Sequence, residues 1–386
     1  MPIIRAFTGP IFLLLPLYPS VSRFNPPVNI KAKPTQRSVA ELRSIGITPD
    51  MIVARSDMAI KEGLREKIAQ FCDVEKRGVI PMATAPILYE IPLLFEKENV
   101  AEYLMERLNL QPRSKPDWSV WETAVAETKR KKPKVSIALA GKYVELHDAY
   151  IRVREALKHA ALFLGLELDL KWVHSTDLEK ARTADELDKV SGIIVPGGFG
   201  SRGIEGKIMA ARYARSHNIP YLGLCLGMQL MVVEFARYIF QNERANSTEF
   251  DQSTPYPVID LMPDQQNITD MGGTMRLGLY PCVLQPGTIA QHAYNTEQVE
   301  ERHRHRFEFN NQFRSRFQEH GMKFSGLSPD GKLVEIAELE NHPFMVGTQF
   351  HPEADSASAL DLRIFEEFIA GITAELLELN LLADAA

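Results

Sequence analysis

Cysteine is scarce: Cys72, Cys225 and Cys282 are the three in 386 residues. So sparse and odd a set excludes a disulfide framework, fits a reducing, cytoplasmic compartment, and offers no pair at metal-ligand spacing. No metal site and no covalently bound cofactor are expected. Basic charge is in deficit as well, with 44 Lys and Arg against 50 Asp and Glu. Proteins that grip nucleic acid show the opposite balance, so small molecules are the expected partners. Long apolar runs are missing. The run Ile11-Phe12-Leu13-Leu14-Leu15 sits between Pro10 and Pro16 and is far shorter than the ~20 residues that span a bilayer. Arg5 ahead of it gives the outline of a secretion signal, but a buried strand is the better reading, and no membrane partner is expected. No internal repeat is visible, and no Gly-x-x-x-x-Gly-Lys-[Ser/Thr] phosphate loop occurs.

What is present divides into two regions. Between about residues 31 and 110, Val39–Gly46 reads as a short helix ended by glycine. Met51–Ala54 reads as a strand, and residues 61–72 as a helix with Leu64, Ile68 and Phe71 on one face. Residues 111–133 turn polar, with Pro112, Pro116 and the run Lys129-Arg130-Lys131-Lys132; a solvated linker explains that run better than a localisation signal. From Pro133 strands and helices alternate. The expected strands are Val135–Ala140, Leu168–Val173, Gly192–Val195 and Tyr221–Leu224. The expected helices are 149–164, capped by Asp148, then 204–217 and 226–240. That order implies a parallel sheet covered on both faces, with ligands at the carboxyl ends of its strands.

Three segments carry chemistry. Gly223-Leu224-Cys225-Leu226-Gly227 places glycines two residues either side of a thiol, the spacing of a tight strand-to-helix elbow. A thiol there sits at a helix N-terminus, which favours the thiolate. A lone cysteine is more often a small buried hydrophobe; the glycines and the strand–helix context reverse that reading. His351-Pro352-Glu353 follows an apolar strand, Phe344–Phe350, so the imidazole and the carboxylate face one side, as base and orienter. Pro196-Gly197-Gly198-Phe199-Gly200 leaves the backbone free to aim N–H groups at an oxyanion, and the Leu226 N–H adds another donor. Such donors are each worth about 3 kcal/mol in a transition state.

Together these segments resemble the class I glutamine amidotransferases, whose Cys-His-Glu triad hydrolyses the glutamine side-chain amide through a thioester. The likeness sharpens to the CTP synthase family through Phe250–Ile259, Gly272–Gly278 and Glu301–Glu308. It implies an α/β fold: a flavodoxin-like amidotransferase domain over 134–386, with a mostly parallel sheet and helices on both faces. Ahead of it the resemblance implies a partial P-loop-like synthetase domain over 1–110 and a linker over 111–133. Cys225, His351 and Glu353 then form the triad, and Gly198, Phe199, Leu226, Gly227, Met228, Gln229, Glu249 and Arg306 contact glutamine. Glu249 suits the substrate's ammonium, and Arg306 its carboxylate. Lys31, Lys33 and Gln36, with Lys67 as a further match, are implied contacts of UTP and of CTP as product inhibitor, and Arg55 of ATP. The resemblance also implies ATP and Mg²⁺, GTP as activator, and a homo-oligomer, in the family a tetramer.

The departures are as specific. Residues 1–30 do not follow the family, Ala32 stands where threonine is usual, and Pro81–Pro86 replaces an acidic segment, although Tyr89-Glu90-Ile91-Pro92 matches again. Without the phosphate loop the main ATP and Mg²⁺ ligands are missing. The expectation is therefore a truncated family member with complete glutaminase chemistry and incomplete ATP-dependent amination of UTP. Two other readings stand beside it: a freestanding glutamine or γ-glutamyl hydrolase, and a non-catalytic assembly or regulatory subunit of full-length CTP synthase.

Overall fold

The computed structural model describes residues 12–16, 19–20, 29–30, 32–85, 87–180, 183–261, 275–355 and 363–378. The chain divides into two units, Met1–Arg130 and Lys131–Ala386. In the first, Met51–Ser56 is the middle strand of three, parallel to Phe12–Pro16 on one side and to Val79–Ala83 on the other. The described part of the apolar run, Phe12–Leu15, is thus strand. Val39 of the helix Lys33–Ser44 packs with Ile52, Ile68 and Cys72 on one side of the sheet, and Ile80, Met82 and Tyr103 pack together in a second cluster. The helix Glu62–Cys72 buries Ile68, Ala69 and Cys72 with Leu64 at the margin. Phe71, expected on that face, instead lies 58% exposed, because one residue's rotation along a helix swings the side chain by about 100°.

Residues 111–133 are more than a linker. Ser119–Lys129 form a helix, whose Trp121 indole N–H donates to Tyr89 O at 2.7 Å and whose Lys129 pairs with Glu90. The division between the units falls after it, inside the basic run.

The second unit is built on one nine-stranded sheet. In chain order its strands are β1 (Lys134–Gly141), β2 (Glu167–His174), β3 (Gly192–Val195), β4 (Tyr221–Leu224), β5 (Arg276–Leu284), β6 (Gln298–His305), β7 (Met322–Leu327), β8 (Val334–Leu339) and β9 (Met345–Thr348). They lie in the order β6-β5-β7-β8-β9-β4-β3-β1-β2. From β9 to β2 all neighbours are parallel, the doubly wound order in which strand sequence reverses beside β1 and opens a crevice. From β9 outward to β6 they are antiparallel, an extension that the alternation of strands and helices upstream did not announce.

Strand residues alternate between two cores, as a period of two dictates. Ile193, Val195 and Tyr221 pack under α2 (Ile204–His217) and α3 (Leu226–Phe240). Ile194, Leu222 and Leu224 pack under α1 (Ile151–Phe163) and α4 (Arg363–Glu378). Asp148, expected to cap α1, makes no cap bond; a 3-10 turn, His147–Tyr150, leads into the helix instead. A small second sheet joins Asn246–Ser247, Pro257–Leu261 and Phe307–Phe309. Among the described residues no helix is long and apolar enough to cross a membrane.

Candidate active site

The strand β4 runs into α3 with no loop between, and Cys225 is the hinge, at φ 51° and ψ −102°. A side chain rarely tolerates that conformation, which stores strain of about 1–3 kcal/mol. The flanking glycines make it attainable by letting the helix press onto the sheet. A Cβ on Gly227 would stand 2.0 Å from Val195 O, and one on Gly223 2.7 Å from Gly227 O. The Cys225 N–H donates to Thr348 O at 2.6 Å, which ties the elbow to β9. The thiol is 5% exposed.

His351 lies just past β9. Its backbone N–H donates to Arg302 O at 2.8 Å, and its Nδ1 is 2.8 Å from Glu353 Oε1. Because a carboxylate accepts, Nδ1 carries the proton and Nε2 is left for the sulfur. Burial works against charge on this imidazole, but hydrogen bonds to Cys225 and Glu353, and their negative charge, raise its pKa to about 11. Gly197 packs against the pair: a Cβ there would meet His351 Cε1 at 2.8 Å and Cys225 Cβ at 3.6 Å. Gly197→Ala is therefore expected to displace the imidazole and slow any reaction at the Cys225 sulfur at least ~100-fold. The unfolding midpoint should shift little, since Gly197 lies in the turn beyond β3; a full-rate alanine variant would show that His351 has room to move.

Two lysines hold the glycine turn from beneath. Lys207 is 1% exposed and its Nζ donates to Pro196 O at 3.1 Å, while Lys142 Nζ donates to Phe199 O. In a trans peptide the C=O and the next N–H point opposite ways, so pinning Pro196 O turns the Gly197 N–H away from Lys207. Complete burial, then the charge of Lys142, lower the Lys207 pKa to about 7, with Cys225 acting in the other direction. Sequence reading overlooked Lys207. The signal was there: it occupies the apolar face of an expected helix, between Ile204 and Ile208.

The crevice above the strand ends has a volume of about 840 Å³ and is lined by Cys225, His351 and Glu353, ample for a small substrate. Of the residues assigned to glutamine, Gly198, Phe199, Leu226, Gln229, Glu249 and Arg306 line it. Gly227 and Met228 do not: Gly227 abuts Val195, and Met228 is buried against Gly347. Burial raises the Glu249 carboxyl, opposed by the Gly200 N–H and by Lys142 and Arg306. Gln229 lines the crevice with its side chain already bonded. Its side chain is 3% exposed, and Nε2 is committed to Phe307 O at 2.9 Å and Gln349 Oε1 at 3.1 Å. Among the described residues one group has metal-ligand proximity, His303, His305 and Glu335. These already serve one another and Arg276, with His303 Nδ1 3.0 Å from His305 Nε2 and Arg276 Nη1 2.5 Å from Glu335 Oε1.

The residues assigned to nucleotides are less gathered. Lys33 and Gln36 share the first turn of Lys33–Ser44, Arg55 lies on the middle strand and Lys67 on Glu62–Cys72. Lys33, Arg55 and Lys67 are exposed, and none of the four lines a cavity described in that unit. Lys31 lies outside the described residues.

The family described as glutamine amidotransferase class-I matches residues 145–370, and that described as CTP synthase N-terminus matches residues 14–110. A CTP synthase of Dehalococcoides mccartyi is 57% identical over 340 residues, 88% of this chain and 62% of the relative. One of Chloroflexus aurantiacus is 53% identical over 348 residues, 90% of this chain and 64% of the relative. The chain thus spans under two thirds of the length of the curated relatives it matches. Among solved structures, the glutaminase domain of Trypanosoma brucei CTPS with bound acivicin aligns at a TM-score of 0.58 and 34% identity, covering 62% of this chain and 94% of that one.

Proposed function

Because this chain belongs to the CTP synthase family of class I glutamine amidotransferases, we propose that its second unit hydrolyses the side-chain amide of glutamine, with Cys225 as nucleophile, His351 as proton carrier and Glu353 as orienter. The observation that carries this reading is the thiol at a strained strand-to-helix hinge, sharing one crevice with an imidazole bonded to a carboxylate. A protonated imidazole beside a sulfur favours the thiolate. The sulfur attacks the amide carbon, and the carbonyl oxygen takes negative charge facing the Gly197 and Leu226 N–H groups. The C–N bond then breaks as His351 gives its proton to the departing ammonia. His351 next takes a proton from water, the hydroxide attacks the thioester, and glutamate leaves with the thiolate restored. Glu249 and Arg306, on the crevice wall, suit the ammonium and carboxylate of the substrate.

The wider reaction, amination of UTP by the released ammonia at the expense of ATP, is proposed as the family setting. The sequence lacks the phosphate loop, and Lys33, Gln36, Arg55 and Lys67 frame no described cavity. One assay tests both halves: glutamate released from glutamine, with and without GTP, and CTP formed from UTP and ATP. Glutamate without CTP supports a glutaminase acting alone; both products support the full reaction. Neither product overturns the proposal and favours a non-catalytic assembly role.

A further inference from the structure

Gln349 stands two residues before His351, at the sulfur end of a buried chain of polar groups that the triad does not explain. Its Nε2 is 3.6 Å from Cys225 Sγ, and its Oε1 is 3.1 Å from Gln229 Nε2. Gln229 Nε2 is in turn 2.9 Å from Phe307 O. We propose that Gln349 is a further catalytic residue of this glutaminase, its side-chain amide donating to Cys225 Sγ and holding the sulfur as an acceptor, ready to attack. The proposal rests on the reading of Cys225 as nucleophile.

The direction of that bond follows from the chain of contacts and not from a choice of rotamer. An amide's oxygen and nitrogen are told apart only by their partners. Phe307 O is a backbone carbonyl and can only accept, so Gln229 presents its NH₂ there. The same nitrogen has a second hydrogen, and the end of Gln349 facing it is therefore the oxygen. That leaves the Gln349 NH₂ toward the sulfur. Gln349 and Gln229 are 1% and 3% exposed, so water does not compete, and a donor aimed at a charged partner counts for more.

The far end of the chain is anchored in the same way. His305 Nδ1, 3.1 Å from Phe307 O, must donate, so its Nε2 is a bare acceptor and His303 Nδ1, 3.0 Å away, is the donor to it. Burial above all keeps both rings neutral, with pKa values lowered to about 2 for His303 and about 3 for His305. Arg304 lies between them, and its carbonyl oxygen is a third neighbour of the sulfur, at 3.8 Å, beside Gln349 and the His351 imidazole, with Lys207 the other charge that acts on Cys225. That oxygen can serve only the S–H form. Apart from His351, the sulfur thus has an acceptor that suits the thiol and a donor, Gln349, that suits the thiolate.

The test is the pH profile of iodoacetamide alkylation at Cys225 in the full chain, read by peptide mapping that separates it from Cys72 and Cys282. Gln349→Leu keeps the volume and removes the donor. Its profile is expected to move up by about one pH unit, as loss of a hydrogen bond to a charged group implies. Its kcat for glutamate release should fall about tenfold or more, with KM within about twofold, the mark of a group acting on the reacting atom. A profile superimposed on the parent's overturns the proposal, whether or not activity falls, because a merely structural residue lowers activity without moving the sulfur's titration. Should Gln349→Leu fail to fold, Gln349→Met, which also lacks the donor and adds no charge, gives the same reading. A parent chain that releases no glutamate sinks the glutaminase reading alone; the alkylation profiles still decide whether Gln349 holds the sulfur.

Discussion

Replacing Cys225 by alanine is expected to lower glutamate release by on the order of 10⁴-fold or more, since members of a nucleophile–base unit fail together. His351→Ala should fall nearly as far, and the double variant no further. Release persisting above about 1% of the parent rate in Cys225→Ala would place the nucleophile elsewhere. Stability should move the other way with glycine. Alanine keeps a Cβ at φ 51° and gains little. Cys225→Gly removes the atom responsible for the strain, worth about 1–3 kcal/mol, against about 0.5–1 kcal/mol of added backbone entropy. A glycine variant about 1 kcal/mol more stable than the alanine one by denaturant unfolding is the expected result; equal midpoints would mean that the elbow is relaxed.

The second large effect concerns Lys207. Its folded pKa, lowered to about 7 by burial, lies below the ~10.4 of an unfolded lysine. Between those values the unfolded chain binds more protons, so this residue makes stability rise with pH from about 7 to about 10, and below pH 7 the full penalty is present. At ~1.4 kcal/mol per unit the penalty amounts to a few kcal/mol. Lys207→Met removes it but leaves Pro196 O unbonded, which costs about 1–3 kcal/mol. The variant should therefore be more stable than the parent by about 1–3 kcal/mol at pH 6, and less stable above pH 10. Unfolding midpoints at the two pH values check this; a difference independent of pH would show that Lys207 stays protonated throughout. The same variant frees the glycine turn, so a gain in stability at pH 6 should come with a loss of glutamate release.

How legible the site was depended on which physical signal each part used. Cys225, Gly197 and His351 follow strand ends, and β3, β4 and α3 were bounded in the sequence because continuous apolar runs and flanking glycines mark buried parallel strands. The antiparallel half left no such mark. Strand β6 reads Gln-Val-Glu-Glu-Arg-His-Arg-His, and what it buries is Glu301, His303 and His305. Its neighbour β5 does the reverse, exposing Leu277 and Leu279. Alternation is intact in both, but polar groups occupy the inner face, so a hydrophobicity pattern passes over them. Gln349 and Lys207 were missed for a related reason. Each is a polar side chain inside an apolar stretch, and its role is defined by a partner on another element, Gln229 in one case and Pro196 in the other, that the fold sets beside it.

Helix α3 buries every residue from Leu226 to Arg237 and is pressed onto three neighbouring strands of the sheet through Gly223, Gly227 and Gly347. Its amide protons should exchange with solvent only when the whole unit opens, which makes it the slowest segment to acquire deuterium. A floor that rigid leaves little to tune beneath the sulfur. Adjustment of the reaction, by an effector or by sequence drift, is left to the exposed side chains on the crevice wall: Tyr143, Phe199 and Arg304.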